Sequence, residues 1–221
     1  MLTQTEENYL KTLFGIIADN YPRLQAGTNE LACKLSLKPA TVNDMLKKLK
    51  DKNLVSYEKY GKISLTETGN KFALLVIRKH RLWETFLYDK LEFTWDEVHE
   101  VAEQLEHVNS DKLVDRLDKF LEFPKFDPHG DPIPNSNGTI IVEKRIALNQ
   151  VEIGEYCLVV SVKDNSNLFL QHAMKLGLKI NSKILVLSIQ LYDDLMQIEI
   201  NEEKHTISKK FSDNILVCLI N

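Results

Sequence analysis

TNELACKLSLKPATVNDMLKKLKDKNLVSYEKYGKISL, residues 28–65, reads as a short helix, a turn, a longer helix and a hairpin, in that order. Thr28 is a short polar side chain suited to cap the first helix, which runs to Leu35. Leu37-Lys38-Pro39 then interrupts, because the ring of Pro39 suits a first helical turn and not an interior. From Pro39 to about Lys52, Val42, Met45, Leu46 and Leu49 recur at helical spacing and form an inward face. This is a helix-turn-helix pattern. Leu54-Val55-Ser56-Tyr57 and Ile63-Ser64-Leu65 alternate as strands around the turn Lys59-Tyr60-Gly61-Lys62, which makes a wing with lysines at its tip.

The outer face of the longer helix offers Thr41, Asn43, Asp44, Lys47, Lys48 and Lys50, with Lys38 and Pro39 at its start. Short hydrogen-bonding groups near a helix start can reach base edges, and the lysines beyond them, with Lys59 and Lys62 of the wing, suit phosphates. Charge agrees: Thr28 to Lys62 holds eight lysines against four acids, although the whole chain carries a net charge of -4. Upstream, Tyr9, Leu10, Leu13, Phe14, Ile16 and Ile17 give a first helix over Glu6–Ala18. Residues 1–75 are therefore expected to form a winged helix-turn-helix DNA-binding domain.

Downstream the charge reverses, with nine acids and three bases from Asp96 to Glu122. An acidic segment after a basic one suggests a cation partner for the second. Here His99, Glu103, Glu106 and His107 fall within an arc of roughly 100° on a continuous helix. His80 and Glu84 stand one turn apart on an earlier helix, and four of the six histidines, His80, His99, His107 and His129, lie between residues 80 and 129. Imidazole and carboxylate without a cysteine pair form the donor set of a middling-to-hard divalent ion.

Thr94-Trp95-Asp96-Glu97 is a capping box expected to open the ligand helix, and Ser110 starts another with Leu113, Val114, Leu117, Phe120 and Leu121 inward. The long helix before them, Gly69 to about Asp89, carries more apolar surface than one chain needs to cover, so a dimer is expected on these helices. Two-fold symmetry would set two recognition helices about one DNA turn apart, on a palindromic site. The helical domain is placed at 76–123. Pro124–Gly138 reads as linker, within a connecting segment over 124–150.

Strand-like periodicity follows at Thr139–Ile146, Tyr156–Val162, Lys183–Ile189, Leu195–Ile200, Lys204–Ile207 and Asn214–Leu219, with a short helix at Leu168–Leu176. A small β-barrel is expected over 151–221. The fold class is thus α+β, mainly α. Three cysteines, widely spaced and odd in number, argue for a reducing compartment and against a disulfide framework. No run reaches the roughly 18 apolar residues of a spanning helix, and the N-terminus lacks a signal pattern, so the expected location is cytoplasmic, away from membranes.

LSLKPATVNDMLKKL (35–49), LVSYEKYGKISLTETG (54–69), RKHRLWETFL (78–87), VHEVAEQLEHVNSDKLVDRL (98–117) and FDPHGDPIP (126–134) together resemble the diphtheria-toxin-repressor family of metal-dependent transcriptional regulators, including its manganese-transport-regulator branch. LFLQHAMKLGLKINSKILVL (168–187) is similar to the family's C-terminal SH3-like barrel. The resemblance implies a homodimer that binds a divalent ion, becomes competent for operator DNA and represses metal-uptake genes. His80, Glu84, His99, Glu103, Glu106 and His107 match the family's ligand positions. Iron-specific members have a cysteine where this chain has Glu103, and a carboxylate is the harder donor, so Mn(II) is favoured, with Fe(II) as the other candidate. His129 matches a ligand of an ancillary site, and Asp127 stands where manganese-sensing members have a cysteine. Asn8 stands at a ligand position on the first helix, and Lys11 where manganese regulators have an acid.

An iron-specific sensor of the same family is the alternative reading. A helical carboxylate-histidine metalloenzyme is the alternative from another class. His99-Glu100 opens an HExxH-like run, but residue 103 is Glu where the second His is required, and no nucleophile triad or phosphate-cradling glycine loop is present. The chain is read as no enzyme.

Overall fold

The computed structural model describes residues 2–19, 22–57, 62–140, 144–190 and 192–220. They form two compact units: residues 1–80 with 105–111 and 134–140, and residues 81–104 with 112–133 and 141–221. Among the described residues no helix is long and apolar enough to cross a membrane.

In the first unit, α1 (Gln4–Asp19) buries Tyr9, Leu10, Leu13 and Ile16. α2 (Thr28–Lys34) begins one residue earlier than its sequence suggests: Thr28 is already helical, and Gly27 is the cap, its N–H donating to Glu30 Oε2 at 3.2 Å. Ser36 takes φ 54 in the turn, and Pro39 opens α3 (Pro39–Asp51). Asn53, at φ 56, ends α3 in a left-handed cap, with the Leu54 N–H donating to Leu49 O at 2.9 Å. The wing strands β2 (Val55–Tyr57) and β3 (Lys62–Leu65) pair antiparallel, and β1 (Ala26–Gly27), which is too short to show periodicity, adds to β3. Leu31, Val42, Leu46, Leu49 and Ile63 are fully buried. Each such side chain contributes about 1.5–3 kcal/mol, against under about 1 kcal/mol for an exposed ion pair. The register of α3 is therefore set from inside, which leaves its lysines outward.

α4 (Glu67–Leu91) continues through both units. Gly69 is required at its start, because a Cβ there would lie 1.8 Å from Leu54 O. In the second unit, Leu82 of α4 packs with Leu117 of α6 (Asp111–Phe120), Leu121 and Ile133. Leu113 and Phe120, expected inward, are 40% and 61% exposed, as Leu91 and Phe123 are at 51% and 64%. α5 (Val98–Leu105) is shorter than the ligand ladder implies: it stops at Leu105, and Glu106 and His107 lie in the turn that follows. The expectation of one four-ligand helical face is corrected accordingly. Of the capping box at 94–97, the Thr94 N–H to Glu97 Oε2 bond is present at 2.9 Å, ahead of a turn and not directly on the helix.

The C-terminal part is an antiparallel sheet of β4 (Ile146–Ala147), β5 (Tyr156–Val162), β6 (Lys183–Gln190), β7 (Leu195–Ile200), β8 (Glu203–Ser208) and β9 (Ile215–Leu219), in the order β4-β9-β5-β6-β7-β8. Alternate residues of β7 are buried, as the period of a strand requires. Helices α7 (Asn167–Lys175) and α8 (Lys209–Asp213) complete this SH3-like module, each capped by a serine that accepts a backbone N–H. Of the strand expected at 139–146 only Ile146 is in β4. Thr139 is held in a turn by Asn135, whose Oδ1 accepts its N–H at 2.9 Å, and residues 141–143 lie outside the described residues.

Candidate metal centre and nucleic-acid interface

The first unit gathers one group of donors around Glu106, which is 1% exposed. Its Oε2 lies 2.6 Å from His80 Nδ1 and 2.6 Å from the Lys11 ammonium, and Lys11 Nζ is 3.1 Å from the same Nδ1. Burial would raise the Glu106 pKa, but the His80 hydrogen bond and the Lys11 charge outweigh it and hold the carboxyl below its ordinary range. Beside it, His107 Nδ1 lies 2.6 Å from Glu7 Oε2, and Lys79 Nζ is 3.5 Å from the other Glu7 oxygen. On α1 it is thus Glu7 whose side chain meets His107; Asn8 is half-buried one residue on.

The second unit gathers Glu84 of α4, Asp127 and His129, with ligand-type atoms all within 4.8 Å of one another and all three residues buried. His99, on α5, places Nδ1 3.1 Å from Glu84 Oε1 and Nε2 3.6 Å from Glu103 Oε1. The 127–131 loop is a tight cradle in which Asp127 Oδ1 accepts the backbone N–H groups of His129 and Asp131 at 2.8 and 3.0 Å. Gly130, at φ +81, makes the loop possible, since a Cβ there would lie 1.9 Å from Val160 O of β5.

His129 is fully buried and stacks on Trp95, with ring centroids 5.7 Å apart. Its Nε2 is 3.0 Å from Trp95 O, and because a carbonyl only accepts, Nε2 carries the proton. Nδ1 then presents a lone pair in the neutral ring. It has no hydrogen-bond partner among the described residues and faces Glu84 Oε2 at 3.7 Å. Burial, Glu84 and Asp131 push Asp127 up to about 7 despite Arg81 and His129, with Arg81 Nε 3.4 Å from its Oδ2. His129 is raised too: burial pulls it down, but the Glu84 and Asp127 carboxylates prevail. Acceptors facing one another in a buried site, with the imidazole oriented by a carbonyl behind it, fit a divalent cation.

On the other expected surface, Lys38, Pro39, Thr41, Lys47, Lys48 and Lys62 are exposed, with Lys47 paired to Asp44 at 3.0 Å. Asn43 is half-buried, and its Oδ1 accepts from the Tyr57 hydroxyl at 2.7 Å, which ties α3 to β2. Lys59 lies outside the described residues. Sequence reasoning missed Glu7, Arg81, Trp95 and Asp131 as parts of the site. Glu7 and Lys11 share a helix face at i,i+4 spacing, but nothing in the sequence says what that face meets.

A winged helix-turn-helix followed by a buried imidazole–carboxylate site and an SH3-like module defines a class of regulator. Residues 1–63 match the iron-dependent repressor N-terminal DNA-binding domain, 66–135 the iron-dependent repressor metal-binding and dimerisation domain, and 146–218 the FeoA domain. The chain belongs to the iron-dependent repressor family, which includes the diphtheria toxin repressor. It is 36% identical over 121 residues to an uncharacterized HTH-type transcriptional regulator of Methanocaldococcus jannaschii, covering 55% of this chain and 95% of the relative. It is 35% identical over 133 residues to the iron-dependent repressor IdeR of Mycobacterium bovis, covering 60% of this chain and 56% of IdeR, so it spans little more than half of that relative's length. A solved manganese-dependent transcriptional repressor in complex with manganese superposes with a TM-score of 0.87 at 30% identity, covering 97% of this chain and all of that one.

Proposed function

We propose that the chain is a metal-dependent transcriptional repressor of the cytoplasm, not an enzyme, that senses Mn(II) or Fe(II) and controls metal-uptake genes. It binds double-stranded, palindromic operator DNA as a homodimer. The observation that carries this reading is the buried His129 Nδ1, which has no hydrogen-bond partner among the described residues and lies 3.7 Å from the Glu84 carboxylate beside Asp127. Glu84, Asp127 and His129, with His99 and Glu103, would hold an ion in the second unit; His80, Glu106, His107 and Asn8 supply donors in the first. A bound divalent ion would add positive charge to the Glu84–Asp127–His129 group, where Arg81 already lies 3.4 Å from Asp127. Four imidazoles among as many carboxylate donors favour Mn(II) or Fe(II) over ions that prefer thiolate.

The domains divide the work. Residues 1–75 read DNA through Thr41 and Lys38, Lys47, Lys48, Lys59 and Lys62, while 76–123, with Asp127 and His129 of the segment that follows, bind metal and dimerise through the exposed Leu91, Leu113, Phe120 and neighbours. Residues 124–150 connect these to the SH3-like domain at 151–221. Within the first unit α1 carries both DNA-domain core residues and the partners of Glu106 and His107, so a change of charge at that corner reaches α1. Ordering is then completed on metal binding and not on DNA binding.

In a mobility-shift assay on a palindromic site, binding is expected to require Mn(II) or Fe(II), and Glu103→Ala combined with His107→Ala to abolish it. Equal DNA affinity in chelator and in metal would sink the reading. The two ions are separated by titrating the shift with each under anaerobic conditions: tighter activation by Fe(II) than by Mn(II) would select the iron-specific alternative.

A further inference from the structure

Lys11 projects from α1 into the Glu106 corner, where an amine is an unusual neighbour for an expected metal ligand. The Lys11 side chain is 19% exposed, and its ammonium lies 2.6 Å from Glu106 Oε2, the same oxygen that His80 Nδ1 approaches at 2.6 Å. Three groups from three segments, α1, α4 and the turn after α5, thus meet at one carboxylate oxygen. A divalent ion bound between His80 and Glu106 would need that oxygen and the imidazole lone pair, and the ammonium lies within 3.1 Å of both. Ammonium and metal cannot share the position, because two cations a few ångströms apart repel in a site with so little water to screen them.

We propose that Lys11 is a resident counter-cation of this corner, standing in for one divalent ion and setting how many ions the chain takes up. It ties α1 to Glu106 without metal, so the His80–Glu106 pair accepts a divalent ion only when the lysine withdraws. The metal-responsive part of the protein is then the Glu84–Asp127–His129 cluster with His99, where a carboxylate faces an imidazole lone pair. This inference rests on the metal-dependent reading above. It adds that one of the two donor groups has been given a covalently tethered cation, and that affinity and stoichiometry are set by a residue that is not a ligand.

The test is Mn(II) uptake by the full-length chain, counted by electron paramagnetic resonance of free Mn(II) and by calorimetry, for wild type, Lys11→Ala and Lys11→Glu. Lys11→Glu is expected to bind one more Mn(II) per chain than wild type. Lys11→Ala, which removes the ammonium without adding a ligand, is expected to bind its weakest ion at least about tenfold more tightly than wild type does, the equivalent of about 1.4 kcal/mol. Lys11→Gln, which preserves size, serves if the acidic variant does not fold. Thermal shift by Mn(II) gives an independent readout, expected to be larger in Lys11→Ala than in wild type. Wild type and all variants taking up the same number of ions with the same affinities would overturn the inference while leaving the metal-dependent reading in place. No uptake of Mn(II) by any of them would overturn both.

Discussion

Glu106 and Asp127 are both buried carboxylates beside a histidine, yet Glu106 is held below the ordinary carboxylate range and Asp127 is pushed up to about 7. Burial opposes ionisation at both, so it does not distinguish them. What differs is the company. Glu106 has an ammonium and an imidazole on one oxygen, whereas Asp127 has Glu84 and Asp131 to repel it and only Arg81 and His129 in compensation. The comparison teaches that a cluster of metal-type residues becomes a cation site when its charges fail to balance internally, and that residue types alone do not show which clusters balance.

Removing the internal cation is the strongest way to break the contrast. In chelator, Lys11→Ala leaves Glu106 buried with only imidazoles beside it, His80 at 2.6 Å and His107 at 3.7 Å, and is expected to lower unfolding free energy by about 3 kcal/mol, measured by urea denaturation. Saturating Mn(II) should recover most of that loss. A variant as stable as wild type would mean that Lys11 contributes nothing to balancing Glu106.

Somewhat smaller is the expected effect of Gly130→Ala, about 2–3 kcal/mol, because the added Cβ meets the Val160 carbonyl and the backbone is left-handed. The same variant should lose Mn(II)-induced thermal stabilisation, since Asp127 and His129 flank the displaced residue. Retained stabilisation would remove the 127–131 loop from the metal centre.

Titration separates the two carboxylates directly. Asp127 and His129 both have raised folded values, so their contribution to metal-free stability is complete below their ordinary values and is lost as pH rises, for Asp127 through about 7. Asp127→Asn should flatten that fall in a series of melting curves in chelator between pH 5 and pH 8, roughly the interval around the cited value. An unchanged slope would show that Asp127 is not the repelled group.

The smallest effect is a control outside both clusters. Glu6 is buried on α1, and burial would raise its pKa, but Lys52 Nζ at 2.6 Å and the Thr3 backbone N–H at 2.9 Å together lower it. Its contribution is therefore present above the ordinary carboxyl value of 4.5 and is lost as pH falls through the lower folded value. Glu6→Gln should cost about 1 kcal/mol at neutral pH, discounted because Lys52 is half-exposed, with the difference vanishing in acid and no change in Mn(II) uptake.

Much of the fold was legible along the chain. Pro39 between two apolar periodicities marks the turn before the recognition helix, and the alternation in 54–57 and 63–65 marks the wing. Strands β5 to β9 follow the same logic, since one buried face imposes period two. The ligand ladder was legible only as a set of residue types. Angular spacing assumed that the helix through His99 continues to His107, but α5 stops at Leu105, and Glu106 and His107 belong with α1 and His80 in the first unit. Leu113 and Phe120 failed for a related reason: an apolar stripe says that a face is to be covered without saying by what.

The sequence by itself determined the winged helix-turn-helix, the helical middle, the strand-rich end and the kinds of donor available, because periodicity, caps and proline act over a few neighbouring residues. Tertiary structure alone decided that Lys11 sits on Glu106, that His129 turns its lone pair toward Glu84, and that Gly130 must lie against β5. Those outcomes depend on charges brought together from segments as many as 95 residues apart, and electrostatic balance is a property of distance in space and burial, which spacing along a chain does not encode.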